Sequence, residues 1–235
     1  MNERLGKVVL RATNLSKVYG EGAMRVDALR PTSFEARAGE VVAILGPSGS
    51  GKSTLLTIIG LINPPTTGSL VFGDRPVITD GKAVVNLATM RRQQLGYVFQ
   101  RSNLIPFLSA EANVRLALEI DGVSSRESRA RARELLDSLG MGKRLAALPG
   151  KLSGGEQQRV AIARAMIHQP SVVLADEPTA ALDSGRGRQV MELFRDSAHT
   201  HGAAVLVVTH DHRTLDLVDR VLEMEDGVLS ERQPA

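Results

Sequence analysis

Short apolar runs rich in β-branched residues alternate along the chain with segments of helical character. Val41-Val42-Ala43-Ile44-Leu45 reads as a strand that stops at Gly46-Pro47, and Ser171–Ala175 and Ala203–Val208 repeat the pattern. Continuous apolar runs of this length are strands covered on both faces, and their alternation with helices predicts an α/β fold with a largely parallel sheet. Each run leads into polar residues at its carboxyl end: Ser48 after the first, Asp176-Glu177 after the second, Thr209-His210 after the third. Ligands of open α/β sheets sit at that edge, so the three ends predict one site.

The flanking regions have other patterns. From Val8 to about Leu29 the chain reads as a β-meander with Gly20 and Gly22 as turn signals. From Ser109 to Ile167 it is rich in Ala, Leu, Arg and Glu. Ser124 and Glu127 predict a capping box, opening a helix that carries Leu135, Leu136 and Leu139 before Gly140 stops it. The expected organisation is a single domain over residues 1–235. Residues 1–100 and 168–235 form its β region and α/β core, with a helical subdomain inserted at about 101–167. Ser230–Ala235 reads as a frayed tail.

Composition narrows the chemistry. The 235 residues are 43% hydrophobic and 23% charged, spread evenly enough to exclude disorder. The absence of cysteine excludes disulfides, a thiol nucleophile, and Cys-held zinc or iron–sulfur centres. Lys and Arg exceed Asp and Glu by 29 to 26, without a basic run, and aromatics are 3% with no Trp. A nucleic-acid partner is therefore not expected. No apolar stretch approaches the ~18–20 residues that span a bilayer. Met1–Lys7 lacks the apolar core of a secretory signal, so a cytosolic location is expected.

Gly46-Pro47-Ser48-Gly49-Ser50-Gly51-Lys52-Ser53-Thr54 matches the phosphate-binding pattern GxxxxGK[ST], between a predicted strand and the helical Thr54–Ile59. Glycines let backbone N–H groups converge on phosphate oxygens; Lys52 reaches the β- and γ-phosphates, and the Ser53 hydroxyl can ligate Mg²⁺. Two acids at a strand end are ordinarily a solvated feature. Beside such a loop, Asp176 reads as a Mg²⁺ ligand, acting mostly through water, and Glu177 as the group that orients or deprotonates the attacking water.

Leu152-Ser153-Gly154-Gly155-Glu156-Gln157-Gln158-Arg159 predicts a second capping box, Ser153 with Glu156, and a helix running to Ile167. The cap leaves the paired glycines unexplained. Each weakens a helix by about 1 kcal/mol relative to Ala, yet together they bare N–H groups to an approaching anion. Ser153, Gly154 and Gly155 therefore read as a second phosphate site.

The combination resembles the nucleotide-binding subunit of an ATP-binding cassette (ABC) transporter over essentially the whole chain, with Leu152–Gln157 matching the family's signature. The resemblance implies a P-loop NTPase (RecA-like) core with an N-terminal antiparallel β region and an inserted α-helical subdomain. It implies ATP and Mg²⁺ as cofactors, and a homodimer in which the signature of one copy closes over ATP held by the phosphate loop of the other. Tyr19 matches the aromatic that stacks on adenine, against the alternative of a strand-end Tyr filling the surface. Gln100 matches the glutamine that meets Mg²⁺ and links core to helical subdomain. Asp183 matches the loop that crosses the dimer, though Ala180 stands where many relatives have Ser or Gly. His210 matches the histidine that contacts the γ-phosphate, while His168, His199, His201 and His212 read as surface residues.

Phe99–Ala110 further resembles the branch that serves lipoprotein release, macrolide and heme export, and cell division. The implied partner is a separate integral-membrane permease, holding this chain at the cytoplasmic face of the membrane. Leu104-Ile105-Pro106-Phe107-Leu108 either docks that permease or packs inside the helical subdomain. A soluble cassette acting on ribosomes or DNA, and a permease-linked signalling module without transport, are the alternative readings.

Overall fold

The computed structural model describes residues 5–180 and 182–232. Ala181 and the last residues of the expected tail, 233–235, lie outside them. In chain order the elements are β1 (Val8–Tyr19), β2 (Val26–Arg37), β3 (Val41–Leu45), α1 (Lys52–Ile59), β4 (Thr67–Phe72), β5 (Arg75–Thr79), β6 (Lys82–Ala83), α2 (Leu87–Gln94) and β7 (Leu95–Val98). There follow α3 (Ala110–Ile120), α4 (Ser125–Ser138), α5 (Gly154–Met166), β8 (Val172–Asp176), α6 (Ser184–His201), β9 (Ala204–Val208), β10 (Arg220–Glu225) and β11 (Val228–Glu231).

Two sheets result, one ordered β2-β1-β4-β5-β6 and the other β11-β10-β3-β9-β8-β7. The second is parallel except for the β10–β11 hairpin. Its central strands are buried on both faces because their alternate side chains enter different cores. Val42, Ile44, Val172, Leu174, Leu206 and Val208 join α1 and the antiparallel sheet in one cluster. Val41, Val173, Ala175, Val205 and Val207 pack with α5 and α6 in a second. A third cluster, around Val114, Leu118, Leu136 and Val160, is the core of the helical region. α5 has a face in each of the last two.

The N-terminal meander is a two-stranded hairpin whose second strand runs past Leu29 to Arg37. Three further strands, β4–β6, extend that sheet. Ser230 and Glu231 belong to β11, paired with Glu223 and Leu222, and are not frayed. Ser124 caps α4 by accepting from the Glu127 N–H, but the Glu127 carboxylate turns to Arg131, so the expected box is half made. At α5 both halves form: Ser153 Oγ accepts from Glu156 N–H, and Glu156 Oε2 accepts from Ser153 N–H at 2.7 Å.

Candidate nucleotide site

β3 leads from the buried core to a loop whose glycines have separate reasons. A Cβ at Gly46, where φ is +147°, would lie 2.1 Å from the Met224 carbonyl oxygen, and one at Gly51 would lie 2.4 Å from that of Ala28. Those two make the loop fit the fold. Gly49 also has a positive φ, +83°, but faces open space. Lys52, the first residue of α1, is buried, and its ammonium turns back into the loop. It donates to the carbonyl oxygens of Gly46 at 2.8 Å and Pro47 at 2.7 Å, and lies 3.4 Å from Ser50 Oγ. Burial lowers its pKa, while the charges of Glu177 and Asp176 raise it.

The loop opens onto a cavity of about 650 Å³. Ser48, Gly49, Gly51, Lys52, Ser53 and Thr54 line one side; Val26, Asp27, Ala28 and Arg30 of β2, the Asp226-Gly227 turn, Glu177 and His210 complete it. Gly46, Pro47 and Ser50 form the frame behind. The β2 and Asp226-Gly227 residues were not foreseen. No linear motif marks β2 as a wall, and Asp-Gly signals only a turn.

Asp176 ends β8, and Glu177 follows with φ +46°, a conformation that is costly for a residue other than Gly, Asn or Asp. Its N–H donates to the Val208 carbonyl at 2.9 Å, fixing the turn that sends its carboxylate into the cavity. His210 Nε2 lies 2.6 Å from Glu177 Oε1. Burial, then the Glu177 charge, push the Asp176 carboxyl up; Lys52 partly offsets this. Asp176 and Gln100 are not among the cavity-lining residues, and Gln100 is exposed just beyond β7. The described residues contain no cluster of three or more His, Cys, Asp and Glu that would cage a metal. Ser53 hydroxyl, Asp176 carboxylate and Gln100 amide are hard oxygen donors, the kind Mg²⁺ takes alongside phosphate oxygens and water.

Tyr19 closes β1 opposite Val26, at the rim, and is 41% exposed. Ser153, Gly154 and Gly155 lie outside the cavity of their own chain, at the exposed start of α5. Neither glycine has a positive φ. Among the described residues a Cβ would meet Leu182 Cδ2 at 3.7 Å from Gly154, and the Arg186 side chain from 3.6 Å at Gly155, all ordinary contacts. Asp183 caps α6 by accepting from Arg186 N–H at 3.0 Å. His199, His201 and His212 are exposed, and His168 is half-buried, 3.6 Å from Asp121.

The segment after Gln100 is held by Gln157 of the signature and by Arg164 and Asn113, which the sequence did not single out. Arg164 of α5 donates to the carbonyls of Asn103 at 2.8 Å and Ser102 at 2.9 Å, and Ser102 Oγ donates to Gln157 Oε1 at 3.0 Å. Fully buried Asn113 accepts from Ile105 N–H at 2.7 Å and donates to the carbonyls of Ile105, Leu108 and Ser109. Leu104 packs against the helical core while Phe107 is 78% exposed, so the five-residue cluster is packed at one end and open to solvent at Phe107.

Residues 29–180 match the sequence profile of the family described as ABC transporter. The chain is 43% identical over 230 residues, 97% of its length and 99% of the relative's, to a lipoprotein-releasing system ATP-binding protein, LolD, of Gluconobacter oxydans. It is 44% identical over 222 residues to a macrolide export ATP-binding/permease protein, MacB, of Brucella melitensis; these are 94% of this chain but only 34% of that relative. Among solved structures, a dimeric ATP-binding cassette in a post-hydrolysis state bound to ADP and Pi superposes with a TM-score of 0.82 at 38% identity, covering 96% of this chain and all of that one.

Proposed function

The chain belongs to the ABC transporter family and is an ATPase of that family, using ATP with Mg²⁺; from that premise we propose that two copies close head to tail around two ATP molecules and energise a separate membrane permease. The observation that carries the dimer is the pair Gly154-Gly155. Among the described residues of the chain nothing requires glycine there, neither a positive φ nor a close neighbour. Two bare backbone N–H groups at a helix start, beside the exposed Ser153, suit the phosphates of a nucleotide held by a partner copy.

Within one copy, Lys52 is the mobile charge. Its ammonium has only to leave the Gly46 and Pro47 carbonyls to meet the β- and γ-phosphates over the loop. Mg²⁺, when bound with ATP, neutralises phosphate charge, and Ser53, Asp176 and Gln100 are the residues that would hold it. Glu177 orients the attacking water and takes its proton, and His210 holds the Glu177 carboxylate and reaches the γ-phosphate. Tyr19 stacks on the base, and Asp183 belongs to the segment that crosses the dimer.

Phe107 and its neighbours face the permease, and Gln100 reports the nucleotide to them through the Ser102–Gln157 and Arg164 contacts. Among the described residues no helix is long and apolar enough to cross a membrane. In this reading the chain works from the cytoplasmic face through its permease, in export or in transmitting motion to an extracytoplasmic domain. Sedimentation of Glu177→Gln with and without ATP tests the dimer: an ATP-dependent doubling of mass is expected, and a monomer at saturating ATP would remove the composite site.

A further inference from the structure

Tyr19 is secured from three directions. Its backbone pairs with Val26, which lines the cavity. The Lys17 ammonium lies 5.2 Å from the centroid of its ring, a cation–π distance that also occupies one face. Its hydroxyl accepts a hydrogen bond from Asn63 Nδ2. The third contact comes from a different element. β4 pairs with β1 only as far as Ser16–Thr67, and beyond that the edge of β1 meets the loop that follows α1. This loop is bonded down along its length: Thr66 N–H to Ser16 O at 2.8 Å, Val18 N–H to Thr66 Oγ1 at 3.0 Å, and Lys17 Nζ to Pro64 O at 2.7 Å. Asn63 N–H in turn donates to Thr57 O, 3.2 Å away in the last turn of α1.

We propose that Asn63 is a positioning residue for nucleotide recognition, holding the Tyr19 ring so that its free face meets the base. The inference rests on the reading of Tyr19 as the base-stacking residue. α1 makes the arrangement effective. It has eight residues and rises about 12 Å, with Lys52 at its start and Asn63 just past its end. One rigid helix therefore holds the phosphate loop and the anchor of the aromatic at a set separation. A half-exposed tyrosine without that anchor retains rotamer freedom, which binding must then remove.

The test compares ATP with inorganic tripolyphosphate, which carries the charge but no base, by calorimetry on the full chain. Tyr19→Ala is expected to weaken ATP about tenfold or more and leave tripolyphosphate unchanged. Asn63→Ala should weaken ATP by about three- to tenfold, again sparing tripolyphosphate, and raise KM with kcat unaltered. Asn63→Asp should restore ATP affinity, because a carboxylate accepts the phenol proton. Adding Asn63→Ala to Tyr19→Ala should cost nothing more. If Tyr19→Ala weakens ATP and Asn63→Ala does not, the role of Asn63 is overturned while that of Tyr19 stands. Equal losses for ATP and tripolyphosphate, or failure of Asn63→Asp to restore binding, would mean that Asn63 only supports the loop and α1. If Tyr19→Ala is silent, the stacking role falls and the positioning role with it.

Discussion

His210 Nε2 lies 2.6 Å from Glu177 Oε1, and the two residues reach each other from just beyond the ends of neighbouring parallel strands, β9 and β8. The contact joins the candidate base to the candidate γ-phosphate sensor. It is prepared by the backbone, since the left-handed turn at Glu177 and its N–H bond to Val208 aim the carboxylate at the histidine.

Removing either partner should therefore impair one unit. Glu177→Gln is expected to retain ATP affinity and slow hydrolysis by ~10²–10⁴, the range for a lost proton acceptor. His210→Ala should fall in the same range, and the double variant should lose little more than the worse single. Strictly additive losses in single-turnover rates would separate the two roles.

Asp176 gives a pH test of stability. Its folded pKa is raised, so the fold favours the protonated acid: that stability is full below the unfolded pKa and lost as pH rises through the folded one. At pH 7 the carboxylate is a cost, and Asp176→Asn should raise Tm while ending hydrolysis. Near pH 3, where both forms are neutral, the gain should vanish. A lower Tm at pH 7 would mean that Lys52 outweighs burial.

Lys52→Ala and Ser153→Arg separate the two halves of the nucleotide site. Lys52→Ala should abolish measurable ATP binding. Ser153→Arg should bind ATP as a monomer yet fail to dimerise, because its side chain fills the place of the partner's phosphate. Mixed, the two proteins have one competent composite site per pair. Loss of monomer binding in Ser153→Arg would show the signature acting within its own chain.

Phe107 and Asn113 should respond in opposite ways. Phe107→Asp, at an exposed position, should leave Tm and the ATPase of the isolated chain nearly unchanged and abolish co-purification with the permease. Retained co-purification would refute the docking role.

Asn113→Leu strands the Ile105 N–H and the Leu108 carbonyl, while the Ile105 and Ser109 carbonyls keep their backbone N–H partners, at a cost of about 3 kcal/mol, or roughly 10 °C in Tm. An unaltered melting curve would mean that the loop carries its own shape.

The parallel core and its loop were legible because they are local. β3, β8 and β9 are unbroken apolar runs, and Gly46–Thr54 carries its chemistry within one turn of chain. β4–β6 escaped notice because Thr67–Phe72 and Arg75–Thr79 are brief and mix polar with apolar residues. They become strands only by pairing outward from β1. Pairing likewise carries β2 on to Arg37. The walls of the cavity are harder still. Val26 and Asp226 are 200 positions apart, and no spacing announces that they line one cavity with Lys52. Asn63 and Asn113 look in sequence like ordinary loop and helix asparagines; their meaning lies in which backbone and which phenol they touch.

α5 gives Ile162, Ala165 and Met166 to the core beneath the parallel sheet, and Val160, Ala163 and the Ile167 that follows it go to the helical cluster. It is thus a shared wall, which limits how such chains can be recombined. A chimera that exchanged residues 101–167 as a block would replace side chains packed under β7 and β8 along with the helical region. A crossover at about Leu152, ahead of the Ser153 cap, keeps the recipient's own α5, and the incoming α3 and α4 then have to fit its Val160 and Ala163 face. α5 thus belongs to both cores, and an exchange on either side of the signature must match its far face.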